Sequence, residues 1–140
     1  LWLPNAYSYA PSAVSAFMSA TATKVGVYMA VRFYFTVFSD VFDDRGVGLM
    51  ALIFCASVGV MASGIRAIAQ RDAKRTLAFS SVGQLAYIAI GFSLANVAGV
   101  AAAMLHLFNH ALIKGGMFMA LGNVSYRTGS TQLEALAGLG

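Results

Sequence analysis

Three ionisable residues spaced by four positions, His106, His110 and Lys114, lie inside one long apolar segment of the chain. The segment runs from Val97 to about Asn123, which is long enough to cross a bilayer as one helix. A spacing of four places the three side chains on one helical stripe that spans roughly 12 Å of the axis. An ionisable group inside a membrane is costly and by default marks an ion or proton path. The stripe therefore predicts proton transfer. The alternative is a pair of packed histidines with Lys114 snorkelling to the membrane surface.

A second isolated cation, Lys24, lies almost midway along the apolar segment from 11 to 38. About 20 Å of helix would precede it and about 21 Å would follow it, so neither membrane surface is within easy reach of its ammonium group. Thr21 and Thr23 beside it carry hydroxyl groups, and such residues permit a local break in a membrane helix. We predict that Lys24 transfers protons and that Thr21 and Thr23 line a water path. The alternative is a structural lysine paired with a carboxylate.

The composition is that of an integral membrane protein. Of its 140 residues, 59% are hydrophobic and only 10% are charged, whereas soluble domains carry about 25% charged residues. Its mean hydropathy is +0.75. Four apolar segments predict an all-α polytopic bundle of transmembrane helices, with spans at about 11–38, 46–65, 76–94 and 97–123. Phosphate loops, nucleotide-binding glycine motifs and zinc spacings are absent from the sequence, and we predict no bound cofactor or metal.

Two polar residues of the third span, Ser81 and Gln84, fall at a depth where polar groups need partners. We therefore expect both side chains to face the interior of the bundle. There they either line a water path or hold neighbouring helices together.

The charges outside the spans predict an orientation. The loop at 66–75 faces the cytoplasm under the positive-inside rule, because it carries four cations against one acid: Arg66, Arg71, Lys74 and Arg75, with Asp72. The loop at 39–45 then lies outside, and its three aspartates indicate a solvated turn rather than a metal site. Four cations beside a bilayer are what topology requires, so we predict no nucleic-acid partner.

Several motifs, in this order, resemble one known family. They are WLPNA at 2–6, APSAVS at 10–15, TKVGVY at 23–28, RDAKRTLAFSSVGQ at 71–84 and HLFNHALIK at 106–114. The chain is similar to the antiporter-like membrane subunits of respiratory complex I and of Mrp-type multisubunit cation/proton antiporters. The resemblance covers nearly all of the sequence, and at 12–28 and 33–38 it is stronger to the D-type branch of the Mrp subunits.

The resemblance implies a fold of about fourteen helices in two inverted repeats, each with a discontinuous helix. Lys24 would be the midplane lysine of one broken helix, with its carboxylate partner upstream of this chain. Lys114, His106 and His110 would form part of a hydrophilic axis. The family often has a lysine or histidine in the helix that corresponds to 46–65, and none is present here. The link between Lys24 and Lys114 would then run through waters, hydroxyl groups and the histidines.

The resemblance also implies a proton-translocating subunit in the inner (plasma) membrane, with other membrane subunits, lipid, protons and Na⁺ or K⁺ as partners. Residues 1–140 would be part of one such membrane domain. We interpret the chain as an internal fragment, because it begins at Leu1 without an initiator methionine and ends at Gly140 within a weakly amphipathic stretch.

Two alternatives from other classes stay open. One is a proton-pumping subunit of NADH:quinone oxidoreductase or of a related membrane hydrogenase, so membership of an enzyme is undecided. Any redox chemistry would then belong to other subunits, because two histidines four apart on one helix cannot ligate haem or an iron–sulfur cluster. The other is a scaffold subunit with static lysine pairs.

Overall fold

The computed structural model describes residues 2–37 and 46–137. The predicted outer loop at 39–45 and the predicted end of the first span at 38 lie outside these ranges. Within them the chain is helical, which confirms the all-α class, and an antiparallel bridge between Asp72 and Gln132 is the only β pairing. The elements in chain order are α1 (Trp2–Tyr9), α2 (Ser12–Ala20), α3 (Ala22–Arg32), a π-helical turn (Phe33–Val37), α4 (Val47–Ile68), α5 (Ala73–Ser93), α6 (Val97–Thr128) and α7 (Leu133–Leu136).

Four segments are long and apolar enough to cross a membrane, as the sequence predicts: Ser12–Val37, Val47–Ile68, Ala73–Ser93 and Val97–Thr128. The first of them is discontinuous, since α2 and α3 are separate helices. The last is longer than expected and ends where Gly129 adopts a left-handed conformation, with a φ of 72°.

The third span begins at Ala73 rather than near 76, because Asp72 caps its first turn. The carboxylate of Asp72 accepts a hydrogen bond from the backbone N–H of Arg75 at 3.1 Å. Its other oxygen accepts from the hydroxyl of Thr131 at 2.8 Å. Lys74 and Arg75 therefore belong to the first turn of α5, and not to the loop predicted at 66–75.

The helix α5 is the centre of the bundle. It packs along α4 on one side and α6 on another, and α1 lies across it, while α2 packs on α6. The approach of α5 to α6 depends on small residues near their connecting turn. A Cβ atom on Gly99 would lie 2.7 Å from the carbonyl oxygen of Gly91, which no side chain tolerates without displacement.

The first helix, α1, was not expected from the sequence, whose aromatic residues at 1–10 suit the membrane interface. This helix buries Leu3 and Tyr7 in a core cluster with Ala16, Ala78 and Phe118. The rings of Tyr7 and Phe118 meet edge to face with centroids 5.5 Å apart. A helix of eight residues is unstable alone in water, so this packing is what stabilises it.

The Gly91–Gly99 contact gives a stability prediction. We expect Gly99→Ala to destabilise the full-length protein by about 1–3 kcal/mol, because the added methyl group must push α5 and α6 apart. Thermal unfolding of the purified protein in detergent measures this. Gly116→Ala is the matched control on α6, where a Cβ meets nothing within 4 Å among the described residues. Equal melting temperatures for the two variants would contradict the prediction.

Candidate functional site

Lys24 is positioned by the break in the first span. The helix α2 ends at Ala20 and α3 begins at Ala22, with Thr21 between them at φ −118° and ψ −57°. A break releases main-chain carbonyl groups that a continuous helix would satisfy. The ammonium group of Lys24 donates a hydrogen bond to one of them, the carbonyl oxygen of Ser19. Lys24 is only 6% exposed, so its charge lies inside the bundle at the break.

Lys114 reaches from α6 to α5. Its Nζ donates hydrogen bonds to the carbonyl oxygen of Leu77 at 3.2 Å and to the hydroxyl oxygen of Ser80 at 3.0 Å. The side chain is 3% exposed. Both lysines are thus buried and held by oxygens that carry no formal charge.

The two histidines of the stripe differ in their contacts. The Nε2 atom of His106 lies 2.7 Å from Oε1 of Gln84 on α5, and the two atoms form a hydrogen bond. The rings of His106 and His110 are nearly parallel, with centroids 6.3 Å apart. His110 is 4% exposed, and neither of its ring nitrogens has a hydrogen-bond partner among the described residues. It lies close enough to Lys24, Lys114 and His106 to interact electrostatically with all three.

A cavity of about 240 Å³ lies beside His106, His110 and Lys114, and Lys24 does not line it. It is lined by Ser80, Gln84, His106, Asn109, His110, Ile113, Lys114 and Met117. A cavity of this size has room for several water molecules. A larger groove of about 580 Å³ runs along α1 and α3, but its lining is mostly apolar and it contains none of the lysines or histidines.

The structure gives the other predicted site residues different places. Gln84 contacts the stripe directly. Ser81 is buried as expected, but its hydroxyl donates to the Leu77 carbonyl at 2.9 Å, and it does not line the cavity. Thr21 is exposed and donates to Phe17 at 2.8 Å, one turn back. Thr23 lines the apolar groove.

Two polar residues of the cavity, Ser80 and Asn109, were not singled out from the sequence. Ser80 precedes Gln84 by one helical turn and so shares its face, which is a pattern that could have identified it. Asn109 lies beside His110 in the motif, and only the packing of α6 against α5 reveals that it lines the cavity.

Two buried lysines and a buried histidine, in a bundle of helices long and apolar enough to cross a membrane, define an integral membrane protein with ionisable groups in its interior. The family described as NADH:quinone oxidoreductase/Mrp antiporter, TM, matches residues 1–140. The chain belongs to this family.

Relatives from both branches of the family align with nearly the whole chain. The N-type subunit of the NADH-quinone oxidoreductase of Desulforudis audaxviator is 42% identical over 99% of the chain and 27% of the relative. The D-type subunit of the Na(+)/H(+) antiporter of Alkalihalophilus pseudofirmus is 28% identical over 99% of the chain and 27% of the relative. The chain therefore spans about a quarter of the length of these relatives.

A solved structure has the same fold over this region. One chain of the membrane-bound sulfane sulfur reductase, an archaeal respiratory membrane complex, superposes with a TM-score of 0.83 at 34% identity. The match covers 96% of the present chain and 27% of that chain. The helical fold is thus shared with a chain of a respiratory membrane complex.

Proposed function

We propose that the chain belongs to a proton-translocating subunit of a multisubunit monovalent cation/proton antiporter, and that protons move through Lys24, His110, Lys114 and His106. The observation that carries the proposal is the position of His110. It is buried one helical turn from Lys114 on α6, within electrostatic range of Lys24, and both of its ring nitrogens are free of protein partners in the described part of the chain. An imidazole ring has two nitrogens, so it can receive a proton at one of them and release a proton from the other.

The partners of the lysines suit a carrier of mobile charge. A neutral carbonyl or hydroxyl oxygen accepts a hydrogen bond from a lysine whether or not the lysine is charged, since the neutral amine still has N–H donors. A carboxylate would favour the charged form much more strongly. The oxygens of Ser19, Leu77 and Ser80 therefore hold the lysine nitrogens in place without fixing their protonation state.

The cavity supplies the connection between His106, His110 and Lys114. Waters in it can bond to the amide of Asn109 and so form a hydrogen-bonded chain between Lys114 and His106, which both line the cavity. In the proposed order a proton passes between Lys24 and Lys114 by way of His110 and these waters. Gln84 holds the His106 ring at the far end of the cavity.

We propose the partners of the protein from its resemblance to the antiporter subunits. The subunit would lie in the plasma membrane, bound to lipid and to other membrane subunits, and would exchange protons for Na⁺ or K⁺. The direct test is proton flux in membrane vesicles that contain the full-length subunit in its complex. An imposed Na⁺ or K⁺ gradient should drive proton movement, and vesicles without the subunit should show none. Absence of flux in the assembled complex would contradict the proposal.

A second candidate is favoured by the 42% identity to the N-type subunit of a NADH-quinone oxidoreductase. In that assembly the same path would pump protons, and the driving energy would come from redox subunits. Purification of the complex from its native membrane separates the two candidates. Co-purifying flavin and iron–sulfur subunits would favour the redox complex, whereas a set of small antiporter subunits would favour the first proposal.

The proposed orientation gives a labelling prediction. In a protein whose other cysteines are replaced, a cysteine at Asp43 should react with a membrane-impermeant reagent from outside, and one at Arg71 only from the cytoplasm. Intact cells and inverted vesicles provide the two sides. If Asp43→Cys is labelled only from the cytoplasm, the orientation is inverted and the two ends of the proton path exchange sides.

A further inference from the structure

Lys74 differs from the other three cations of the sequence cluster at 66–75. Arg66, Arg71 and Arg75 are exposed, whereas Lys74 is only 9% exposed. A lysine near a helix end ordinarily extends its ammonium group towards water. Lys74 turns inward instead, so the charge balance that sets the topology does not explain its position.

The contact of Lys74 leads to the broken first span. Its Nζ donates a hydrogen bond at 3.2 Å to the carbonyl oxygen of Ala10, in the linker between α1 and α2. The hydroxyl of Ser15 donates to the same oxygen at 3.3 Å and to the carbonyl of Tyr7 at 2.9 Å. Ser15 is fully buried. One main-chain oxygen is therefore shared by a buried ammonium group and a buried hydroxyl group.

The buried face of α2 continues from this point to Lys24. Ser15 and Ser19 are one turn apart, about 6 Å along the helix axis, and Ser19 is 1% exposed. The carbonyl of Ser19 is the oxygen that binds Lys24. Two buried lysines from different helices thus bind the two ends of one serine-bearing face.

We propose that Lys74 is a further proton-transfer residue, which exchanges protons between the aqueous phase at the 66–75 loop and Lys24 along the Ser15–Ser19 face of α2. The inference rests on the proposed function of Lys24. In one transfer an N–H bond of the Lys74 ammonium group breaks, and its electron pair stays on Nζ. The enclosed hydroxyl oxygens of Ser15 and Ser19 pass the proton on, and each takes one proton and gives up another. The lone pair of a neutral Lys24 amine then receives the proton, so charge and protons balance.

The competing role for Lys74 is that of a clamp that holds the α1–α2 linker on α5. An arginine in its place separates the two roles, because guanidinium donates hydrogen bonds but does not release its proton near neutral pH. A clamp works with arginine, and a proton carrier does not. Histidine reverses the comparison, since it can titrate but is too short to keep the same contact.

The experiment compares variants of the full-length subunit in its assembled complex, in sealed vesicles with a pH-sensitive dye. We expect Lys74→Arg and Lys74→Met to assemble and to lose proton flux by about 100-fold, the lower end of what a positioned acid–base group contributes. Lys74→His should recover part of the flux. The matched controls are Arg75→Lys and Arg75→Met, at the adjacent exposed position in the same turn, and both should keep wild-type flux.

Each result decides the proposal. Wild-type flux in Lys74→Arg would overturn it. If Lys74→Met also fails to assemble, the two results together are the behaviour of a clamp. If neither variant assembles, Lys74→His decides, and an assembled histidine variant without flux overturns the proposal. Lys24→Arg in the same vesicles separates this inference from the proposed function. Normal flux in Lys24→Arg refutes the function itself, whereas impaired Lys24→Arg with normal Lys74→Arg refutes only the role of Lys74.

Discussion

Replacement of Lys24 by alanine is expected to abolish proton transport while the subunit still assembles. The side chain is buried at the break between α2 and α3, where its ammonium group binds the Ser19 carbonyl. Alanine removes the titratable group from this position, and we expect flux to fall by at least about 100-fold, as for the loss of a positioned acid–base group. Dye-monitored flux in vesicles, normalised to the amount of assembled complex, measures the effect.

Lys24→Arg tests whether the proton or only the charge matters. Guanidinium keeps the charge and the hydrogen bond but does not deprotonate near neutral pH, so this variant should be nearly as inactive as Lys24→Ala. Arg32→Lys is the control on the same span, because Arg32 is exposed and has no proposed role in transport. Normal flux with arginine at position 24 would mean that Lys24 is a static charge and would sink the relay mechanism.

The second large effect is expected at Lys114. Lys114→Met keeps a long flexible side chain but removes the group that bonds to Leu77 and Ser80, so proton flux should fall without loss of assembly. We expect a decrease of about 100-fold in the same flux assay. Wild-type flux in this variant would indicate that Lys114 serves packing alone.

The histidines should behave as coupled members of one path. His106→Ala or His110→Ala alone should slow transport without abolishing it, because water in the cavity can replace one member of the hydrogen-bonded chain. The double variant should lose more than the two single effects together, since neighbouring groups that share a path are not additive. Strict additivity, together with wild-type flux in Lys114→Met, would remove His106, His110 and Lys114 from the proposed path.

The sequence was sufficient to predict the four spans and the burial of the key cations. Long apolar segments must form helices in a membrane, and a spacing of four fixes which residues of one helix share a face. His110 and Lys114 are therefore buried together, as the stripe predicts. The burial of Lys24 followed from its distance to both ends of its span.

What the sequence did not reveal depends on how different helices meet. Ser80 contacts Lys114 because of the position at which α6 packs against α5. The spacing of residues within one helix does not predict which residues of two different helices lie side by side. The helix α1 depends on Tyr7 reaching Phe118, which is far along the chain. From the sequence, Lys74 resembles any other cation of a cytoplasmic loop. The capping of α5 by Asp72 places Lys74 in the first turn of that helix, where its ammonium group reaches the α1–α2 linker.

The hydrogen bonds of Lys24 and Lys114 to main-chain oxygens do not depend on which side chains occupy positions 19 and 77. The oxygens of Ser19 and Leu77 are present whatever side chains occupy those positions. An alanine scan of α2 and α5 would leave both main-chain oxygens in place and would therefore not detect their contribution. Replacement of the following amide by an ester weakens a single carbonyl acceptor, and this change would detect it. Proteins that differ at positions 19 and 77 can therefore keep the same contacts, provided that the helix break and the α5–α6 crossing keep their shape.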